Sequence, residues 1–137
     1  MTDTDIRDIL SSVKTIALVG ASEKPARPSY DVMAYLLEQG YHVFPVNPVL
    51  AGREVLGQKV YADLADIPVK VDMVDVFRRS EAVYDIAQEA IAIDAGVLWM
   101  QLGVINEQAA VLAKNVGMQV VMDRCPKIEI KRLGLAK

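Results

Sequence analysis

LVGASEKPARPSYDVMAYLLEQGYHVFPVNP, residues Leu18–Pro48, decides the fold. A branched apolar run from Lys14 to Gly20 is short and continuous, as a buried strand is. A glycine turn follows. Pro28 or Ser29 opens a helix that runs to about Gln39, with Val32, Met33, Leu36 and Leu37 as its apolar stripe and Gly40 as its stop. Tyr41–Val46 is a second strand. Strand, glycine turn, helix and strand in that order open a nucleotide-binding sheet.

The rest of the chain continues the alternation. Residues 49–71 carry glycines, Pro68 and only short apolar pieces, so they read as a connection with a short strand or helical turn near Ala62–Ile67. Asp72–Phe77 is the third strand. Ser80 is placed to cap a helix in which Val83, Ile86, Ala87, Ala90 and Ile91 share one face. Gly96–Gln101 is the fourth strand. Asn106 caps the next helix, with Ala109, Leu112, Ala113 and Val116 inward and Gly117 at its end. Met118–Asp123 is the fifth strand, and Pro126 starts a last short helix ending near Leu133. Five strands alternating with helices predict an α/β fold: a three-layer, Rossmann-like, doubly wound parallel sheet of order 3-2-1-4-5. The whole of residues 1–137 is expected to form one domain.

Composition narrows the function. The chain has 137 residues, 53% of them hydrophobic and 24% charged, which describes a globular chain. No apolar run approaches the ~20 residues that span a bilayer. The first ten residues carry three aspartates and no signal-type apolar segment, so a cytoplasmic location is expected. A single cysteine, Cys125, agrees with that. The formal net charge of −3 argues against nucleic acid as a partner. With one histidine and one cysteine, neither a Cys/His metal cluster nor a Ser-His-Asp site is expected.

Ligands of such sheets bind outside the strand C-termini, where the strand order reverses. The order expected here places that point between the first and fourth strands. The turn Gly20-Ala21-Ser22 sits there, with N–H groups of the turn and following helix able to face an anion. It lacks the G-x-G-x-x-G pattern, since Ser22 and Pro25 stand where the second and third glycines would be. In their place the loop has cations. Lys24, Arg27, Arg78, Arg79 and Arg124 all lie just past predicted strand ends, five of fifteen basic residues on one rim. An NAD site would end the second strand in Asp or Glu, to bind the ribose hydroxyls. Here Asn47-Pro48 stands there. A neutral amide tolerates a phosphorylated ribose, and the proline offers a base an apolar shelf. The same dipeptide is also an ordinary turn initiator.

IALVGAS, RPSYDVMAYLLEQGYHVFPVNP, VDMVDVFRR, VLWMQLGV and VVMDRCPKIE, in this order and spacing, resemble the small stand-alone CoA-binding proteins. These are similar to the CoA-binding domain of the succinyl-CoA synthetase alpha subunit. The resemblance covers about Lys14 to Leu133. It implies a Rossmann-like fold that binds coenzyme A through Gly20, Ala21, Ser22, Arg27, Asn47, Pro48, Phe77 and Arg78, with Gln101 and Gly103 lining the cleft. Lys24, Arg79 and Cys125 complete the candidate site. Many members of this family carry a histidine shortly after the cysteine; Glu129-Ile130-Lys131 stands here, so no role of that histidine carries over. The synthetase-type enzymes use a phosphorylated histidine from a second domain. His42, at the far end of the second strand, reads as a surface residue.

The leading expectation is a binding or regulatory module for CoA or an acyl-CoA, without catalysis of its own and with no protein partner legible. Two alternatives stand beside it: an NAD(P)-binding oxidoreductase-like protein, and a small thiol-exchange or acyl-transfer enzyme. The second would use Cys125, whose pKa a neighbouring cation and a helix start would lower. Cys125 also reads as a small packed residue at the start of the last helix, the more common role of a cysteine so placed. Asp75 is placed to cap backbone groups or orient Arg78, and Gln101 to bond an amide of the pantetheine arm or merely to turn the chain.

Overall fold

The computed structural model describes residues 1–137. Helix α1 (Asp3–Ser12) precedes strand β1 (Thr15–Val19), helix α2 (Pro28–Glu38) and strand β2 (His42–Val46). A small hairpin, β3 (Glu54–Val55) and β4 (Gln58–Lys59), and a 3-10 turn at Leu64–Asp66 fill the next stretch. Then come β5 (Met73–Val76), α3 (Val83–Ala92), β6 (Val97–Met100), α4 (Glu107–Lys114), β7 (Gln119–Val121) and α5 (Pro126–Arg132).

The five main strands form one parallel sheet with helices on both faces, the α/β Rossmann-like architecture read from the sequence. Alternation along the strands splits the interior in two. Ile16, Leu18, Met73 and Trp99 face α1, α2 and α5, packing with Ile6, Ile9, Met33, Leu36 and Ile130. Ala17, Val19, Val74, Val76 and Leu98 face α3 and α4, packing with Val83, Ile86, Ala87, Ala109 and Ala113.

The position of the third main strand differs from the expected 3-2-1-4-5. The order is β2-β1-β5-β6-β7, so that strand pairs with the free edge of β1 and not with β2. The reason lies in residues 49–71. Tyr61 bridges Val46 in parallel, donating its N–H to Pro45 and accepting one from Asn47, and so covers the outer edge of β2. With that edge closed, the chain crosses to the other side of β1. The reversal point therefore lies between β1 and β5, not between the first and fourth strands.

Three local expectations also change. Helix α1 was not anticipated; Thr2 caps it in a reciprocal box with Asp5. Ser80 does not cap α3 but opens a 3-10 turn, and its hydroxyl accepts from Ile105 N–H at 3.0 Å and donates to the Gly103 carbonyl. Val116 is exposed because α4 ends at Lys114. Asn106 does cap α4, accepting from Ala109 N–H at 2.9 Å.

Candidate functional site

A cleft opens over the C-terminal ends of β1 and β5, and it has two lobes. One, of about 460 Å³, lies along the loop from Gly20 to Ser29, with Asn47, Leu50 and Phe77 opposite. The other, of about 500 Å³, lies between β2 and α3, walled by Val19, Val46, Leu64 and Ile86, with Arg78, Asp63 and Glu89 as its charged groups. Gly20, Asn47, Val49 and Phe77 line both lobes and join them.

The first turn is shaped by packing. Gly20 has φ +92°, and a Cβ there would stand 2.2 Å from the Phe77 carbonyl oxygen. The glycine thus serves close approach of two backbones, not bending alone. The N–H groups of Gly20 and Ala21 both donate to Val46 O, so neither is available to an anion. Those of Ser22, Glu23 and Ser29 have no partner in the protein. The α2 N-terminus has Pro28 in its first turn and no side-chain cap; the acid of that first turn, Asp31, is paired with Lys127. Lys24 and Arg27 line that lobe, Arg78 the other, and none of the three forms an ion pair.

Asn47 is spent on the protein itself. Its side-chain N–H donates to Ala21 O at 2.8 Å and its oxygen accepts from Val49 N–H at 2.8 Å. These two bonds staple the end of β2 to the first turn. Aspartate could not do this, since it has no donor.

Several candidate residues lie outside both lobes. Arg79 pairs with Glu81 at 3.5 Å on the surface. Arg124 is bound to Glu129. Gln101 is buried and its side-chain oxygen has no partner. Gly103 turns the chain, with φ +77° and its N–H on Asp123 at 2.7 Å. Cys125 is only 5% exposed and stands just before α5, packed in the core on the α2 side of the sheet. Asp75 is fully buried and neither oxygen has a partner, so it orients no arginine; burial pushes its carboxyl well above the ordinary value.

Residues 14–131 match the family model described as a CoA binding domain. The chain belongs to the CoA-binding domain family. It is 41% identical over 124 residues to the uncharacterized protein YneT of Bacillus subtilis, covering 90% of each chain. A hypothetical protein of Pyrococcus horikoshii has a solved structure that superposes with a TM-score of 0.93 at 45% identity, covering 97% of this chain and 92% of that one. The alpha subunit of the ADP-forming acetate–CoA ligase I of Pyrococcus furiosus is 28% identical over 128 residues. The chain spans only 28% of that subunit's length.

Members of the CoA-binding family were expected to use the first turn, the end of β2 and the start of the β5–α3 loop. In this member those segments come together, as Gly20, Ala21, Ser22, Lys24, Arg27, Asn47, Pro48, Phe77 and Arg78 line the two lobes. The sequence reading missed Ala62, Asp63, Leu64, Ile86 and Glu89. Ile86 was legible only as a core position, and Asp63 and Leu64 sit in the stretch with the weakest pattern. Glu89 follows Ile86 by one helical turn, a spacing that could have placed it beside the lobe.

Proposed function

We propose that this cleft binds coenzyme A or an acyl-CoA and that the chain acts as a binding or regulatory module without catalysis of its own. The observation that carries this reading is the meeting, at the β1/β5 reversal point, of three unpaired cations and three unpartnered N–H groups beside an apolar lobe. Family membership supports it.

The residues present suit the molecule. Its pyrophosphate matches the loop lobe, where Ser22, Glu23 and Ser29 offer N–H groups and Lys24 and Arg27 offer charge. Its 3′-phosphate calls for a further cation, and Arg78 stands between the lobes. Its adenosine matches the apolar lobe between Pro48 and Ile86. No carboxylate ends β2 to repel a phosphorylated ribose. Three charge-assisted hydrogen bonds of roughly 1.5–3 kcal/mol each supply a large share of the ~8 kcal/mol that micromolar affinity needs, with apolar burial supplying the rest. When bound, the coenzyme supplies a thiol that carries acyl groups. The protein's part is to hold the nucleotide end. The only histidine, His42, lies at the opposite end of the sheet.

Calorimetry with CoA, dephospho-CoA, NAD and NADP tests this. CoA should bind tightest and dephospho-CoA more weakly. Preference for NAD over CoA, or no uptake of CoA, overturns the reading. Equal affinity for CoA and dephospho-CoA removes the 3′-phosphate contact from it.

A further inference from the structure

The outer face of α4 carries an apolar cluster that the cleft does not use. Of the nine exposed large hydrophobic side chains, five gather here: Tyr84 on α3, Val111 on α4, Leu102 and Ile105 just before α4, and Val116 just after it. Single exposed hydrophobics are ordinary, whereas such a grouping marks a contact surface. A groove of about 540 Å³ runs between the two helices, with Tyr84 on one side and Gln108, Val111 and Asn115 on the other.

The charges on this face are ordered. Glu107 precedes the 57%-exposed Val111 by one turn and Lys114 follows it by one turn, so the three share the solvent side of α4. Neither charge has an ion-pair partner in the chain. Counted outward from the Ala110–Val111 peptide, Glu107 and Lys114 are equidistant, and so are Ile105 and Val116. A helix with that pattern is complementary to an antiparallel copy of itself. Glu107 of each copy then faces Lys114 of the other, Ile105 faces Val116, and Val111 lies at the axis. This is the self-complementary arrangement that a two-fold interface requires. We propose that α4 docks antiparallel on α4 of a second copy of this chain, at the centre of a two-fold dimer. The helix is only about 12 Å long, so the contact is small and the dimer weak and reversible.

Sedimentation equilibrium across the micromolar to millimolar range tests this. Wild type should associate reversibly to a dimer. Glu107→Lys and Lys114→Glu should each weaken self-association by at least about tenfold, because like charges then face each other across the axis. Mixed in equal amounts, the two variants should associate again, since both facing pairs regain opposite charges. Each charge also suits the dipole of its own helix, but a role confined to one chain would not be restored by mixing. Val111→Lys adds a favourable i,i+4 pair with Glu107, which keeps the helix, and sets two cations against each other at the axis. It should abolish the dimer while leaving the thermal midpoint of dilute protein unchanged. A monomer at every concentration, a dimer that Val111→Lys leaves intact, or charge variants whose mixture associates no better than either alone overturns the inference.

Discussion

Gly20 and the carbonyl of Phe77 meet where β1 and β5 end, so closely that a methyl group on Gly20 would stand 2.2 Å from that oxygen. The contact joins the first turn to the segment after β5 that carries Arg78, and both lobes of the cleft depend on it. Gly20→Ala adds a clash with rigid backbone to a φ of +92° that L-residues avoid. It should lower stability by at least about 2 kcal/mol and weaken CoA binding with it. Urea denaturation measures the first effect; a variant as stable as wild type would mean that the two backbones move apart freely.

Asn47 closes the same turn from the other side. Asn47→Asp removes the donor to Ala21 O and points an anion at that carbonyl. A loss of about 1–3 kcal/mol is expected, read as a lower thermal midpoint. Asn47→Ser should be milder, because a hydroxyl can still accept from Val49 N–H.

These two residues show what a sequence can and cannot disclose. That Gly20 follows a buried strand and Asn47 ends another was legible from apolar periodicity, as were the main strands and Asn106 as a cap. That Asn47 also bonds Ala21 was not, because Ala21 lies 26 residues away in the chain. The strand order failed for a similar reason. Nothing local in Val49–Val71 announces that Tyr61 will cover the edge of β2. Arg79 and Arg124 read as site cations because their strand-end positions were visible, whereas their partners Glu81 and Glu129 were not recognised as such. Helix α1 was legible and overlooked: Ile6, Ile9 and Leu10 recur at helical spacing behind a threonine cap.

The cations can be ranked by their partners. Arg27→Ala and Arg78→Ala each remove an unpaired charge from the cleft and should weaken CoA by about 1.5–3 kcal/mol, or roughly 10- to 150-fold. Arg79→Ala should leave affinity unchanged, since Arg79 lines neither lobe. Arg124→Ala should also spare binding but cost stability, because it strips a partner from buried Glu129. Calorimetry on the four variants checks the ranking. Loss of binding in Arg79→Ala with none in Arg78→Ala would reverse the assignment.

Asp75 and Glu129 are both buried carboxyls, and the fold treats them oppositely. Asp75 has burial alone acting on it, which drives its carboxyl well above the ordinary value. Burial acts first on Glu129 too, but hydrogen bonds from Arg132 and Arg124 outweigh it and hold the carboxyl below its ordinary value. The signs follow from linkage. Folded Asp75 keeps its proton at pH values where the unfolded chain, with a value of about 3.9, has lost it. Its contribution is present below that pH and lost as pH rises toward the raised folded value. Asp75→Asn has no proton to lose, so its stability relative to wild type should climb from about pH 4 upward and then level. Glu129 works the other way: its contribution is present above an unfolded value of about 4.3 and lost as pH falls through the depressed folded one. Glu129→Gln should therefore cost about 1–3 kcal/mol at neutral pH, limited by its half-exposed arginine partners, and converge with wild type in acid. Urea titrations of wild type and both variants between pH 3 and 8 resolve the two slopes. If the Asp75→Asn curve runs parallel to wild type throughout, the buried acid is finding a partner that stabilises its charge, and β5 is less dry than its packing indicates.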